Sequence, residues 1–319
     1  METQERPLLG FLLALLTATM WGALPVALTL TLQEMDSPTI TWYRFLLAAV
    51  FVATWLAFRN KLPAFGTLSP RFYIVVFLAT VGLVGNYILN LYGLLHINPE
   101  TVQVLTQLAP FVLMMGGIVF YGERFTKLEG VGALVLFSGL LLFFNHNLEL
   151  LFSGLNDYSI GVLFIIGAAL TWAGYALVQK RLLKTVTSKQ LTLLIYVFGA
   201  LLLLPFASLS DIQQLNSLQF WALMFCCLNT LVAYGAFTEA LHVWQAAKVS
   251  AVIALAPLFT FLAMEGAVRV WPNEFVASDL DVWAYIGAAM VMIGSITAAL
   301  GRLSFRRTSA LPVVEKPVP

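Results

Sequence analysis

The sequence predicts an all-α integral membrane protein with ten transmembrane helices, arranged as two inverted five-helix repeats. Composition is the first observation: 60% of the 319 residues are hydrophobic and only 10% are charged, whereas a soluble domain carries roughly 25% charged residues. The second is a series of apolar segments, each about as long as a helix that crosses a hydrocarbon layer of about 30 Å. The third is a gap-free similarity between two stretches, one in each half of the chain.

Ten apolar segments are predicted to cross the membrane as helices. The alternating segments of about ten residues that are typical of membrane β-barrels are absent. The predicted spans are 8–32, 39–58, 72–95, 101–121, 128–144, 159–179, 190–209, 218–240, 249–270 and 282–301.

The basic residues predict the orientation of these spans, because cytoplasmic loops carry an excess of Lys and Arg. With the amino terminus inside, all 17 lysines and arginines fall in inside segments, except Arg44 and Arg269 near the outer ends of spans. We therefore expect both termini in the cytoplasm, in a bacterial inner membrane. The expected units are a first repeat over residues 1–146, a second over 147–301 and a disordered cytoplasmic tail over 302–319.

The internal repeat predicts where the function resides. Each half has five spans, an odd number, so the second copy enters the membrane from the opposite side. Inverted repeats of this kind hold a substrate near the membrane midplane, where the halves meet, and favour alternating access. The aligned positions are Trp21 with Trp172, Tyr87 with Tyr234, Leu94 with Leu241, Ala109-Pro110 with Ala256-Pro257, Gly132 with Gly287, and Gly139 with Gly294.

The same residues resemble the ten-span EamA family of the drug/metabolite transporter superfamily. The resemblance covers about residues 8–301 and implies a central cavity lined mainly by spans one to four and six to nine, with five and ten behind them. One departure is the longer acidic joint that begins at Pro272-Asn273-Glu274. The motifs that carry the resemblance are Trp21-Gly22, Tyr43-Arg44-Phe45, Ala109-Pro110, Gly122-Glu123 and the repeated glycines.

Arg44 is the first candidate functional residue, because a charge within a span is costly and is retained for a role. It is predicted to anchor a carboxylate substrate or to form a gate with Glu265. The alternative is a snorkelling side chain in a structural ion pair. Glu265 has a simpler partner in Arg269, four residues further along the same helix.

Neutral polar residues form a second candidate group in spans three and four. Asn86 and Asn90 lie one helical turn apart, as do Gln103 and Gln107. Unpaired amides in lipid cost a few kcal/mol each, so these faces meet each other or water. We expect them to form a hydrogen-bonding wall of a cavity; the alternative is a purely structural link between helices.

Aromatic residues complete the predicted substrate cavity. Trp21 and Trp172 occupy equivalent positions in the middle of their spans, where a membrane-interface role does not explain them. They are predicted to stack on a ring-containing or apolar substrate, with core packing as the alternative. Tyr87, Tyr175 and Tyr234 are predicted to line the same cavity.

Two further features concern coupling and motion. Glu239, near the inner end of span eight, is a coupling candidate, because burial can raise a glutamate pKa toward neutrality. The alternative is an inner-surface ion pair with Lys248 or Lys180. Pro110 and Pro257 interrupt the helical hydrogen bonds at equivalent positions, and they are predicted to be hinges.

The sequence carries no motif for a metal, a nucleotide or a catalytic nucleophile. We therefore expect no enzyme activity, no cofactor, no metal and no nucleic-acid partner; the expected partners are a small solute and the lipid bilayer. The predicted function is secondary transport of small organic metabolites, such as amino acids or related carboxylates, with export favoured. The alternatives are a channel, or a membrane scaffold or enzyme without solute coupling.

Overall fold

Every regular element that the structure describes is helical. The computed structural model describes residues 6–63, 66, 68–122 and 126–308. The helices are α1 (Pro7–Thr31), α2 (Ser37–Phe58), α3 (Pro70–His96), α4 (Pro99–Thr106), α5 (Leu108–Tyr121), α6 (Lys127–Phe143), α7 (Leu148–Phe152), α8 (Asp157–Leu182), α9 (Ser188–Leu203), α10 (Ser217–Val243), α11 (Ala246–Ile253), α12 (Ala256–Val270) and α13 (Val282–Thr308).

In these ranges, nine spans are long and apolar enough to cross a membrane, with α4–α5 and α11–α12 each counted as one span. A tenth is present if α6 is taken with the segment that ends at Phe152, which bends by 61°. The predicted all-α membrane architecture is therefore confirmed. The last helix continues to Thr308, past the predicted start of the tail, and residues 309–319 lie outside the described residues.

Helices of the first half pack mainly against helices of the second half. The principal pairs are α1 with α10, α2 with α9, α3 with α8 and α6 with α13. Two side-chain hydrogen bonds follow the repeat register: Thr17 Oγ1 donates to the Ala233 carbonyl at 3.2 Å, and Asn86 Nδ2 donates to the Ala168 carbonyl at 2.9 Å. Thr17 aligns with Ala168 and Asn86 with Ala233, so each bond is the repeat equivalent of the other.

Glycines bring the backbones of α6 and α13 into contact. A Cβ atom added at Gly139 would lie 2.7 Å from the Val291 nitrogen, and one added at Gly294 would lie 2.5 Å from the Leu136 nitrogen. Real Cβ atoms essentially never come so close to other atoms. Helices in lipid associate through such small residues because close backbone approach increases van der Waals contact.

Two spans, α4–α5 and α11–α12, are each divided into two helices just before a proline. The first break is at Gln107, between α4 and α5, and the second is at Ala254, between α11 and α12. Pro110 and Pro257 have no backbone N–H to donate one turn back, which weakens the helix there. Gln107 Nε2 donates to the Ala254 carbonyl at 2.7 Å, so these two repeat-equivalent breaks contact each other.

The two ends of the bundle differ in charge. At the end where α1 begins, called here the basic end, the Gln190 side chain donates to the Lys61 carbonyl at 3.0 Å. At the opposite, acidic end, His96 pairs with Asp157 at 2.8 Å. Each contact joins the first half to the second.

Candidate functional site

A cavity of about 1150 Å³ lies between the two halves. Its wall extends from Leu28 and Leu94 within the bundle to Lys180 and Gln245 at the basic end. None of the described residues in the loops of the acidic end lines it. The cavity therefore reaches the basic end and is closed toward the acidic end.

The structure brings nine of the ten predicted cavity residues to this cavity. The exception is Tyr175, which packs instead over Gly82 of α3, where an added Cβ would lie 3.4 Å from the tyrosine Cβ. It lies three positions after Trp172 on α8, at the contact between α8 and α3. The nine that line the cavity are Trp21, Arg44, Asn86, Tyr87, Asn90, Gln103, Gln107, Trp172 and Tyr234.

Arg44 is 3% exposed and lines the deep part of the cavity. Its Nε donates to Thr230 Oγ1 at 3.1 Å, and its guanidinium carbon lies 4.4 Å from the centre of the Tyr87 ring. Among the described residues it has no acidic partner. The alternative of a snorkelling side chain in an ion pair is therefore wrong. The result is a buried cation held by a hydroxyl and a π face, with its charge uncompensated.

The Tyr87 ring that contacts this cation carries a buried hydroxyl group. It is buried and has no hydrogen-bond partner of normal geometry in the described part of the chain, although Tyr234 lies nearby. A buried polar atom without a partner costs about 1–3 kcal/mol. Arg44 and Tyr87 therefore present hydrogen-bond donors that a bound acceptor, such as a carboxylate, could satisfy.

Asn86, Asn90 and Gln107 each donate a side-chain N–H to a backbone carbonyl. Asn90 Nδ2 donates to the Asn86 carbonyl at 2.9 Å, and Ser295 Oγ lies 3.5 Å from Gln107 Oε1. Asn86 and Asn90 remain half-buried beside the cavity. Asn86 and Gln107 thus link helices and also line the cavity, which combines the two predicted alternatives.

Aromatic rings form the wall beside α1 and α10. Trp21 meets Tyr234 edge to face at 5.2 Å and Phe237 at 5.5 Å, measured between ring centres. Such arrangements favour contact between the positive edge of one ring and the negative face of another. The rings hold each other in place and leave an apolar surface facing the cavity.

The predicted gate and coupling residues do not line the cavity. Glu265 pairs with Arg269 at 2.6 Å, with both side chains largely exposed, so the local pair is present and the Arg44–Glu265 gate is absent from this conformation. Glu239 is exposed on α10, and the described residues include no ion pair between it and Lys248. Both glutamates lie on helix faces that turn away from the cavity. Of the hinge candidates, Pro110 lines the cavity and Pro257 is buried beside it.

The closure of the acidic end includes a carboxyl group that the sequence analysis missed. Glu100, near the start of α4, is 4% exposed and accepts a hydrogen bond from Ser278 Oγ at 2.9 Å. Ser278 belongs to the longer joint before α13, the departure noted in the sequence. The short connection between α3 and α4 leaves an acid there little room at the surface. This short connection was the sequence feature that could have predicted the burial of Glu100.

Spans five and ten contribute more than the resemblance implies. Glu129 and Leu136 of α6, with Ser295 and Ala298 of α13, line the cavity near the basic end. None of the described lining residues belongs to α9. The glycine contact draws α6 and α13 together and brings both to the cavity wall.

Comparison with known proteins agrees with this architecture. The chain is 42% identical over 294 residues to the inner membrane transporter YhbE of Escherichia coli, covering 92% of each chain. It is 39% identical over 298 residues to a transporter of Haemophilus influenzae, covering 93% of this chain and 97% of that one. A crystal structure with 16% sequence identity superposes with a TM-score of 0.60 over 91% of this chain and shares the fold.

The family model for EamA-like transporters matches twice, over residues 8–145 and 159–300. These matches take in both halves and most of the residues that line the cavity. With two relatives above 30% identity along almost their whole length, the chain is a membrane transporter that belongs to the EamA-like transporter family.

Proposed function

We propose that this protein is a secondary transporter for small organic metabolites that carry a carboxylate, and that it works by alternating access. The observation that carries the proposal is Arg44, a buried cation on the cavity wall without an acidic partner among the described residues. A charge within a membrane span is costly, by about 2.5–3.5 kcal/mol at the centre of the helix. A carboxylate bound by Arg44 and Tyr87 would offset that cost, because both donors then gain an acceptor.

The shape of the proposed substrate follows from the remaining wall. Trp21, Trp172 and Tyr234 offer apolar ring faces, and Asn86 and Asn90 offer amides at half-buried positions. A molecule with a carboxylate and an apolar or ring-containing body suits this arrangement. Amino acids and related organic acids belong to this class, and we propose export as the direction.

The internal repeat supports the proposed alternating access. The exchanged hydrogen bonds of Thr17 and Asn86, and the contact between the two helix breaks, follow a single repeat register. With five spans assigned to each half, one half is inverted relative to the other. Such halves can exchange conformations and so move the opening from one side to the other.

The basic residues orient the proposed cycle. We propose that the basic end, with both termini, faces the cytoplasm, because cytoplasmic segments carry an excess of Lys and Arg. In that orientation this conformation is open to the inside. Outward opening would separate Glu100 from Ser278 and part the apolar contacts around Leu28 and Leu94, which close the acidic end.

The test is counterflow into proteoliposomes preloaded with single compounds from a panel of amino acids, organic acids and amines. We expect carboxylates to stimulate uptake of the same radiolabelled compound, and amines without a carboxylate not to do so. Arg44→Gln should lower kcat/KM by at least about thirtyfold, since removing a buried charged partner costs 2 kcal/mol or more. Arg269→Gln, which removes an exposed arginine from the second half, is the matched control.

Three results would contradict the proposal. Uptake that preloading does not stimulate indicates a channel. Selective uptake of amines excludes the anionic substrate class. Equal losses in the Arg44 and Arg269 variants would remove the specific role of the buried cation.

A further inference from the structure

One corner of the basic end is built from chain segments that contain no acid. The sequence has no Asp or Glu between Asp36 and Glu100, and none between Asp157 and Asp211. These segments supply α2, α3, α8 and α9 with their connections at the basic end. A cytoplasmic excess of Lys and Arg does not itself require acids to be absent. The basic residues concerned are Arg59, Lys61, Arg71, Lys180, Arg181, Lys184 and Lys189.

Two of these cations lie on a single indole ring. Lys189 Nζ is 3.9 Å from the centre of the Trp55 ring, and the guanidinium carbon of Arg59 is 5.7 Å from it. Both cations belong to exposed residues, and the described residues contain no ion pair for either. Two like charges on one ring repel each other, and a bound anion would relieve that repulsion. We call Trp55, Arg59 and Lys189 the Trp55 corner.

Local backbone structure holds this corner in place. α2 ends at Phe58, and Asn60 adopts a left-handed conformation with φ of 51°. Lys61 N then donates to the Leu56 carbonyl at 2.9 Å, which turns the chain back beside the helix end. Gln190, next to Lys189, fixes the turn to α9 through its bond to the Lys61 carbonyl. The two cations therefore come from two helices whose ends are tied together.

The surroundings indicate a lipid as the source of the anion. Phe58 is 85% exposed next to Arg59, and Phe51 is 58% exposed one to two turns toward the middle of α2. The exposed apolar face of α2 matches the acyl chains of a lipid, and the two cations and the tryptophan at its end match the charged headgroup. In the repeat alignment Trp55 corresponds to Phe206 and Arg59 corresponds to Ser210, both at the acidic end. Neither Phe206 nor Ser210 carries a charge.

We propose that the Trp55 corner binds the headgroup of an anionic phospholipid, with the acyl chains along the exposed face of α2. This site lies outside the transport cavity and does not depend on the transported solute. The ring orients Lys189, and both cations contact the phosphate. Each basic residue near an anionic surface strengthens binding by about fivefold. Removing both cations should therefore weaken binding by about twenty- to thirtyfold.

Native mass spectrometry of the purified full chain, titrated with equal amounts of phosphatidylglycerol and phosphatidylcholine, tests this site. The wild type is expected to retain one phosphatidylglycerol in preference to phosphatidylcholine. R59Q/K189Q should lose that preference. The matched control is K127Q/K248Q, which removes the same charge from the basic end, and in which Lys248 also lies over an indole, at 5.8 Å from Trp244. The control should bind like the wild type.

A second variant guards against a loss of folding. W55L keeps both charges and is expected to show weaker, but still selective, retention while eluting as one species on size exclusion. An equal loss of phosphatidylglycerol preference in the two double variants would mean that the general charge of the basic end determines binding, and it would overturn the proposal. Equal retention of both lipids by the wild type would also overturn it. Binding of inorganic phosphate without lipid selectivity would assign the corner to a free anion and exclude the lipid.

Discussion

The two halves of the chain share the residues that set backbone packing and differ in the residues that face the cavity. Gly132 and Gly139 have counterparts in Gly287 and Gly294, and all four lie at close backbone contacts. In contrast, Arg44 aligns with Ile195, which is 1% exposed in the core. The repeated glycines show where two backbones must meet, whereas most polar side chains of the cavity wall come from the first half. A symmetric framework thus carries an asymmetric cavity wall.

The largest expected effect is a symmetric one, from adding a methyl group at the glycine contact. Gly139→Ala and Gly294→Ala should each lower the free energy of unfolding by about 1–3 kcal/mol or more, because overpacking forces backbone shifts. Thermal unfolding monitored by size exclusion measures the change. Gly235→Ala is the control, since nothing lies within 4 Å of its added Cβ. Equal destabilisation by all three would contradict the close contact.

A smaller effect should follow when Gln107 is replaced by alanine, which is the residue type at the equivalent position, Ala254. Gln107→Ala removes the hydrogen bond to Ala254, which is worth about 0.5–1.5 kcal/mol, and lowers the ratio of molecules open to molecules closed at the basic end by about two- to tenfold. A cysteine at Ser250, which lines the cavity, should then react more slowly with an impermeant maleimide in inside-out vesicles. Gln103→Ala serves as control, and an unchanged rate in the Gln107 variant would refute the expectation.

The smallest expected effect comes from removing either of the two equivalent hydrogen bonds made by Thr17 and Asn86. Comparing the two variants distinguishes a role in packing from a role in binding. Thr17→Val and Asn86→Ala should each cost about 0.6 kcal/mol of stability, the average for a hydrogen bond between membrane helices. Only the Asn86 change should raise KM in counterflow, because Asn86 lines the cavity and Thr17 does not. A matching rise in KM for both variants would mean that the bonds act on transport through packing alone.

The helical architecture and nine residues of the cavity wall could be predicted from the sequence, the polar ones for one physical reason. A polar side chain such as Asn86 or Gln107 in the middle of an apolar span cannot face lipid, so it faces the interior. This constraint weakens toward the ends of spans. Glu239 and Glu265 lie there, and their exposed positions depend on the rotation of each helix, which composition does not determine.

Two other features could not be predicted because they depend on tertiary contacts. The breaks occur at Gln107 and Ala254, ahead of the predicted proline hinges, where the spans cross and a side-chain bond replaces helical bonds. Glu100 is buried at a contact with Ser278, which lies far along the chain. Contacts between residues so far apart in the sequence cannot be inferred from the sequence alone.

The contact between α6 and α13 also bears on how the protein is made. The glycine face of α6 is complete early in synthesis, yet its partner is α13, the last helix that the structure describes. The first half cannot finish packing while it is being made, since α1, α3 and α6 all await helices synthesised later. A chain that stopped at Asp281 would leave the α6 glycines facing lipid. Assembly of the whole bundle is therefore completed only after the last helix has entered the membrane.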